Sequence, residues 1–140
     1  MTIMVLNGPN LNLLGKREPE IYGKDTLGSI EAELKEIVGD IDFRQTNDEG
    51  ELINWIHEAI EKRYDVIINP AAFTHYSYGL ADACAMLKDF DLKLIEVHIS
   101  NPHARENFRH KSVISPVATG VIAGFGKDSY KLALKELLQG

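Results

Sequence analysis

The sequence has one cysteine, Cys84, so no intrachain disulfide can hold its fold. Cys84 sits in an apolar helical pattern and reads as a small buried hydrophobe rather than a nucleophile. Long apolar runs are missing: none approaches the roughly 18 residues of a membrane span. No basic region precedes a long apolar run at the start, so no secretory signal is expected and a cytoplasmic location is. Positive charge is in the minority. Fifteen Lys and Arg face 21 Asp and Glu, a net charge of −6 with no basic stripe, which makes nucleic acid and anionic membranes poor partners. An anionic ligand would have to be held by a few placed cations. Nucleotide motifs are absent: no GxGxxG follows the first apolar run, and there is no GxxxxGK(S/T). The five histidines form no HxxxH or HExxH pattern and have no cysteine pair beside them, so no metal site is expected. Ser29 and Ser100 lack the GxSxG context of a nucleophile elbow.

What is present is an ordinary globular composition, 44% apolar and 26% charged, in a chain of 140 residues. That length predicts a single domain, 1–140, with a real core. Ile3 to Leu6 reads as a buried strand. Thr26 is a good N-cap for a helix carrying Leu27, Ile30, Leu34, Ile37 and Val38, closed by Gly39. Ile41 to Gln45 is a short strand, and a helix comes next, from about Gly50 to Arg63. Tyr64 to Asn69 is a strand, about Tyr76 to Leu87 a helix, and Leu92 to His98 a strand. An irregular polar stretch, Ser100 to His110, precedes a strand over Val117 to Ala123 and a last helix capped by Asp128. Strands alternating with amphipathic helices predict an α/β protein with a parallel sheet covered on both faces. Right-handed crossovers make it doubly wound, and five strands suit a flavodoxin-like order.

The segment between the first strand and Gly23 is the unusual one. Asn7-Gly8-Pro9-Asn10 breaks the strand with turn chemistry, and the residues from Leu11 to Tyr22 read as neither strand nor helix. A loop beyond about 12 residues is usually functional or disordered. Leu11, Leu13, Leu14 and Ile21 anchor this one, which favours a lid or binding loop carrying one key cation, Arg17, and one phenol, Tyr22. The alternative is a surface excursion without chemistry.

In an open α/β sheet, ligands bind beyond the carboxyl ends of the strands. Those exits are Asn7 to Asn10, Thr46-Asn47, Asn69-Pro70, His98-Ile99-Ser100 and Gly124-Phe125-Gly126. Turns use Asn and Gly for their own reasons, but no turn calls for His98. Glu96 and His98 lie two apart on one strand and share a face, where a carboxylate can orient an imidazole; a structural ion pair is the other reading. His75 alone reads as a surface or capping residue. His103, His110, Arg105 and Arg109 suit anion or hydroxyl recognition, against a solvated polar loop. Gly124-Phe125-Gly126-Lys127 could cradle an anion, though close strand–helix packing is the stronger expectation.

Five stretches of the sequence carry a resemblance that covers nearly the whole chain. They are LNGPNLNLLGKREPEIYG from Leu6, QTNDEGELINWIHEA from Gln45, NPAAFTHYSYGLADA from Asn69, EVHISNPHARENFRH from Glu96, and GVIAGFG from Gly120. In this order, on the predicted strand exits, they closely resemble the type II 3-dehydroquinate dehydratases. The resemblance implies dehydration of 3-dehydroquinate to 3-dehydroshikimate through an enolate, without metal or organic cofactor. It implies that Tyr22 is the base that removes a proton alpha to the ketone, and that Arg17 holds it as phenolate. His98 would protonate the departing hydroxyl, oriented by Glu96. Asn69, with the backbone at Ile99 and Ser100, would grip the substrate carboxylate, and His75 and Arg109 would hold ring hydroxyls. Asn12 would help place a water against the enolate oxygen, and Asp82 would reach the site of a neighbouring subunit. The resemblance also implies a homo-oligomer of trimers, commonly four trimers in a dodecamer. Departures from the family pattern are Ala71, where glycine is common, Tyr76, Tyr78 and Gly79 at a helix start, and Asp48 and Lys111, where histidine is frequent.

Three rivals remain at this level. The same dehydration can run through a lysine imine, although the lysines fall mostly on polar helix faces or loops. A flavodoxin-like module could bind a flavin or phosphate, and a non-catalytic assembly protein could keep the fold.

Overall fold

The computed structural model describes residues 2–16 and 18–139. Five parallel strands, β1 (Ile3–Asn7), β2 (Ile41–Gln45), β3 (Asp65–Asn69), β4 (Leu94–His98) and β5 (Gly120–Ala123), form one sheet in the order β2-β1-β3-β4-β5. β1 is buried at every position, as expected of a strand covered on both faces.

Alternation along the strands splits the core in two. Ile3, Val5, Ile67, Ile95 and Val97 pack against α2 (Leu27–Ile37) and α5 (Asp128–Gln139), through Ile30, Leu34, Tyr130, Leu134 and Leu137. Met4, Leu6, Val66, Ile68 and Leu94 pack on the opposite face against α3 (Glu49–Lys62) and α4 (Tyr78–Ala85), through Leu52, Ile56, Leu80 and Cys84. Each fully buried aliphatic side chain contributes about 1.5–3 kcal/mol. A one-residue register slip in β1 would therefore exchange the two apolar sets and unmake both interfaces.

Local chemistry sets the boundaries. Thr26 and Ser29 cap α2 reciprocally, each side-chain oxygen accepting from the other's backbone N–H at 3.1 and 3.0 Å. Asp48 caps α3 by accepting from Gly50 N–H at 2.9 Å, so the helix starts one residue before the expected Gly50. α4 is shorter than the predicted Tyr76–Leu87, because Ala71–His75 forms a 3-10 turn and Ser77 supplies the cap. β5 starts at Gly120 rather than Val117, because Ser115–Val117, with Pro116 inside it, is a 3-10 turn. The long loop also holds more regular structure than expected: a 3-10 turn at Leu11–Leu13 and one helical turn, α1 (Pro19–Tyr22).

Strand order reverses beside β1, which has β2 on one side and β3 on the other. Asn7 and Asn69 are register partners at this switch, and Gly8 N–H donates to the Asn69 carbonyl at 2.8 Å. A Cβ at Gly8 would lie 2.6 Å from the Pro70 carbonyl oxygen, so only glycine lets the two exits close up.

Candidate active site

A cavity opens at this switch, where chain segments leave β1, β3 and β4. Pro9 and Asn10 wall it from β1, Asn69 and His75 from β3, and His98, Ile99 and Ser100 from β4. Tyr22 reaches it from α1, and Arg105 and Arg109 from the irregular stretch after β4. The structure thus brings together Tyr22, Asn69, His75, His98, Ile99, Ser100 and Arg109 among the predicted site residues. Glu96 lies behind His98, wholly buried. Arg17 lies outside the described residues. Asp82 is exposed on α4 and does not line this chain's cavity.

Asn12 does not line it either; its exposed side chain accepts from Gln45 Nε2 at 3.4 Å. The cause is the 3-10 turn at Leu11–Leu13, which places successive side chains about a third of a turn apart. Leu11 faces the core, Asn12 faces solvent, and Asn10 takes the cavity wall. Asn10 has left-handed backbone (φ 69°), a conformation asparagine tolerates, and Asn47 Oδ1 accepts from its N–H at 2.9 Å.

The Glu96–His98 pair is built as predicted and is more extensively supported. Glu96 Oε2 lies 2.5 Å from His98 Nε2. The same oxygen accepts from the hydroxyls of Thr74 at 2.5 Å and Ser112 at 3.0 Å, while Oε1 accepts from Ser115 at 2.5 Å. Ser112 Oγ itself accepts from Ile114 and Ser115 N–H, which leaves its single hydroxyl proton to be shared between Glu96 Oε2 and Thr74 Oγ1. Burial alone would push the carboxyl up. The His98 imidazole and the Ser115 and Thr74 hydroxyls outweigh it and hold Glu96 below its usual value. A buried carboxylate surrounded by donors stabilises an adjacent imidazolium, which is the protonated form a general acid needs.

His75 has a defined tautomer. The Lys111 carbonyl, 2.7 Å away, can only accept, so Nδ1 carries the proton. Burial pushes the His75 pKa down, offset in part by this hydrogen bond, and His98 and Arg109 lower it further. Neutral His75 therefore offers Nε2 as an acceptor to a hydroxyl. The Lys111 contribution comes from backbone, so a lysine in place of histidine there leaves this contact intact.

Tyr22 meets a cation that the sequence analysis did not assign to it. The Arg105 guanidinium stands 5.1 Å from the Tyr22 ring centroid and donates to Ser100 Oγ at 3.2 Å. Four residues on, Arg109 donates to Glu106 at 3.0 Å and stacks over Phe108 at 4.5 Å. The loop carrying Tyr22 is pinched at its neck. Gly15 (φ 92°) lies where a Cβ would come within 3.0 Å of the Lys24 carbonyl oxygen, and Gly23 (φ 80°) ends α1. The glycine turn after β5 serves packing. Gly124 and Gly126 donate to the His98 and Ile99 carbonyls at 3.2 and 3.0 Å, and Phe125 N–H donates to Ser129 Oγ at 3.2 Å, so these amides are spent within the fold. Among the described residues, no three His, Cys, Asp or Glu side chains are grouped to hold a metal, and no helix is long and apolar enough to cross a membrane.

The family model described as dehydroquinase class II matches residues 1–138. The chain belongs to the class II dehydroquinases. A 3-dehydroquinate dehydratase of Rhizobium johnstonii is 57% identical over 140 residues, which covers 97% of this chain and 94% of that relative. The type II dehydroquinase structure from Propionibacterium acnes superposes with a TM-score of 0.93 at 48% identity, covering 99% of this chain and 97% of the other. That from Butyrivibrio crossotus gives 0.92 at 44%, with the same coverage. The fold of this class II dehydroquinase is accordingly the flavodoxin-like α/β sheet expected from the alternation of its elements. Its site includes residues to which the resemblance gave no role. Thr74, Ser112 and Ser115 carried no local signal, whereas Asn10 and Arg105 did, the first as part of a strand exit and the second as one of the cations four residues apart.

Proposed function

We propose that the chain eliminates water from 3-dehydroquinate, in the anti sense and through an enolate, to give 3-dehydroshikimate in the shikimate route to aromatic amino acids. Its place among the class II dehydroquinases supports the coarser statement, that it is a 3-dehydroquinate dehydratase and hence a hydro-lyase. The observation that carries the mechanism is one cavity lined by both a phenol, Tyr22, and an imidazole, His98, backed by a buried carboxylate. Elimination needs both a base and an acid.

Tyr22, as phenolate paired with Arg17, takes the proton alpha to the ketone, and the C–H electrons pass into an enolate. The enolate then returns its electrons to form the ring double bond as the carbon–oxygen bond to the hydroxyl breaks. His98 delivers its proton to that oxygen, which leaves as water, and Glu96 steadies the imidazolium before transfer. Asn69 and the backbone at Ile99 and Ser100 hold the carboxylate, and His75 and Arg109 hold ring hydroxyls. Asn10, which walls the cavity where Asn12 does not, is the better candidate to hold a water at the enolate oxygen. No metal or organic cofactor enters the reaction. Trimers, themselves assembled into a dodecamer, would bring Asp82 of one chain to the cavity of the next.

The test is ultraviolet absorbance of the purified protein with 3-dehydroquinate, beside a borohydride-treated sample. A rise from the conjugated enone that survives borohydride supports elimination through an enolate. A rise lost to borohydride only when substrate is present means an imine and overturns the mechanism. No rise from folded protein overturns the activity.

A further inference from the structure

The side-chain amide of Asn69 has only one orientation compatible with its neighbours. Ala71 N–H is a donor, so the Asn69 atom 3.1 Å from it is Oδ1. Nδ2 then faces the Tyr130 hydroxyl at 2.9 Å and donates to it. That hydroxyl passes its own proton to Asn7 Oδ1 at 2.6 Å. Asn7 Nδ2 donates to the Arg44 carbonyl at 3.0 Å, which can only accept. Three buried side chains, from β1, α5 and β3, thus form a chain of fixed direction between two backbone groups that cannot reverse. Tyr130 is wholly enclosed, and burial pushes its hydroxyl well above the usual tyrosine range, so it remains a donor at working pH.

Asn69 is only 3% exposed, yet it lines the cavity. With one Nδ2 hydrogen spent on Tyr130, the second is the one available to a ligand. We infer that Tyr130, reaching under the site from α5, is a positioning residue that holds the Asn69 amide so that this second hydrogen meets the substrate carboxylate. The inference rests on the proposed role of Asn69 in gripping that carboxylate. Without the hydroxyl, both Asn69 Nδ2 and Asn7 Oδ1 lose a buried partner, and the Asn69 amide keeps its bond from Ala71 N–H but loses the contact that fixes its Nδ2 end.

Tyr130→Phe keeps the ring and removes only the link. The carboxylate is bound alike in substrate and transition state, so the expected signature is a KM for 3-dehydroquinate raised about tenfold, with kcat within about twofold of wild type. In an Asn69→Ala background the same substitution should change KM no further, because the group it positions is gone. Asn7→Ala, which leaves Tyr130 in place but removes its acceptor, should raise KM in the same direction and carries the test if Tyr130→Phe does not fold. A merely structural Tyr130 would lower the thermal midpoint and leave KM unchanged, and that result overturns the inference. Equal, additive KM effects with and without Asn69 overturn it as well. A wild-type protein that does not turn over 3-dehydroquinate overturns the functional reading, and this role falls with it.

Discussion

In the proposed mechanism, a proton abstracted beside a ketone and a proton delivered to a hydroxyl each depend on one side chain, so single substitutions should have large effects. Tyr22→Phe and Arg17→Ala are each expected to abolish most turnover, read as initial rates of enone formation. Arg17→Lys should rescue only in part, because a point charge does not replace a planar fork. Ser115→Ala removes the donor 2.5 Å from Glu96 Oε1 and leaves a buried carboxylate oxygen unpaired, at a cost of about 1–3 kcal/mol. It also has a pH signature. Glu96 is held below its unfolded value, so its stabilising contribution is present above that value, about 4.3, and is lost as pH falls through the lower folded one. Ser115→Ala raises the folded value towards the unfolded one. Acid unfolding should then begin at a higher pH than in wild type, and a coincident acid limb would show that the hydroxyl does nothing for the carboxylate.

At the scale of elements, two turns hold the site and each invites a test. The 3-10 turn after β3 begins at Ala71 with φ 51°, in a left-handed region costing an L-residue about 1–2 kcal/mol. Its N–H is nonetheless bonded to Asn69, so the strained conformation is the one the site requires. Glycine at 71 would relieve the strain and give back about 0.4–1 kcal/mol in unfolded-chain entropy. Ala71→Gly should therefore raise the thermal midpoint by about 2–4 °C. A lower midpoint would mean that the methyl group packs usefully. The second turn is the neck of the Tyr22 loop. Gly15→Ala adds a Cβ 3.0 Å from the Lys24 carbonyl at a left-handed position, so the neck must open. Among the described residues, the loop lies outside both core clusters except through Leu11, Leu14 and Tyr22. The substitution should accordingly lower kcat/KM several-fold with little change in thermal midpoint, and an unaffected kcat/KM would argue against the loop as a lid.

For the whole molecule, the order β2-β1-β3-β4-β5 decides which exits can meet. β1, β3 and β4 are neighbours, and their exits supply one cavity, while the β2 exit contributes from behind through Asn47 on Asn10. Asp82 stays outside that cavity, on an exposed helix surface, so any catalytic part it plays must be in another chain's site. Light scattering should give a mass in multiples of three chains. A monomer in solution at working concentration would remove the role assigned to Asp82.

Much of this protein was legible before any contact was known. Short continuous apolar runs alternating with amphipathic helices specified a parallel doubly wound sheet, because a strand buried on both faces must be apolar on both. The strand-exit rule and five motif stretches marked Tyr22, Asn69, His75, His98, Ile99, Ser100 and Arg109, which line the cavity, and Glu96, which is buried behind it; they also marked Asn12 and Asp82, which do not line it, and Arg17, which lies outside the described residues. Glu96 and His98 were readable as a pair because two residues along a strand share a face. Tertiary structure alone decided what has no local period. Thr74 meets Glu96 across 22 residues, Ser115 across 19, and Tyr130 meets Asn69 across 61 and Asn7 across 123. Asn10 rather than Asn12 lines the cavity because a 3-10 turn, not spacing, sets the direction of a loop side chain. Sequence patterns report which face a residue buries. Which partner waits there depends on strand order and on where distant turns bring their hydroxyls.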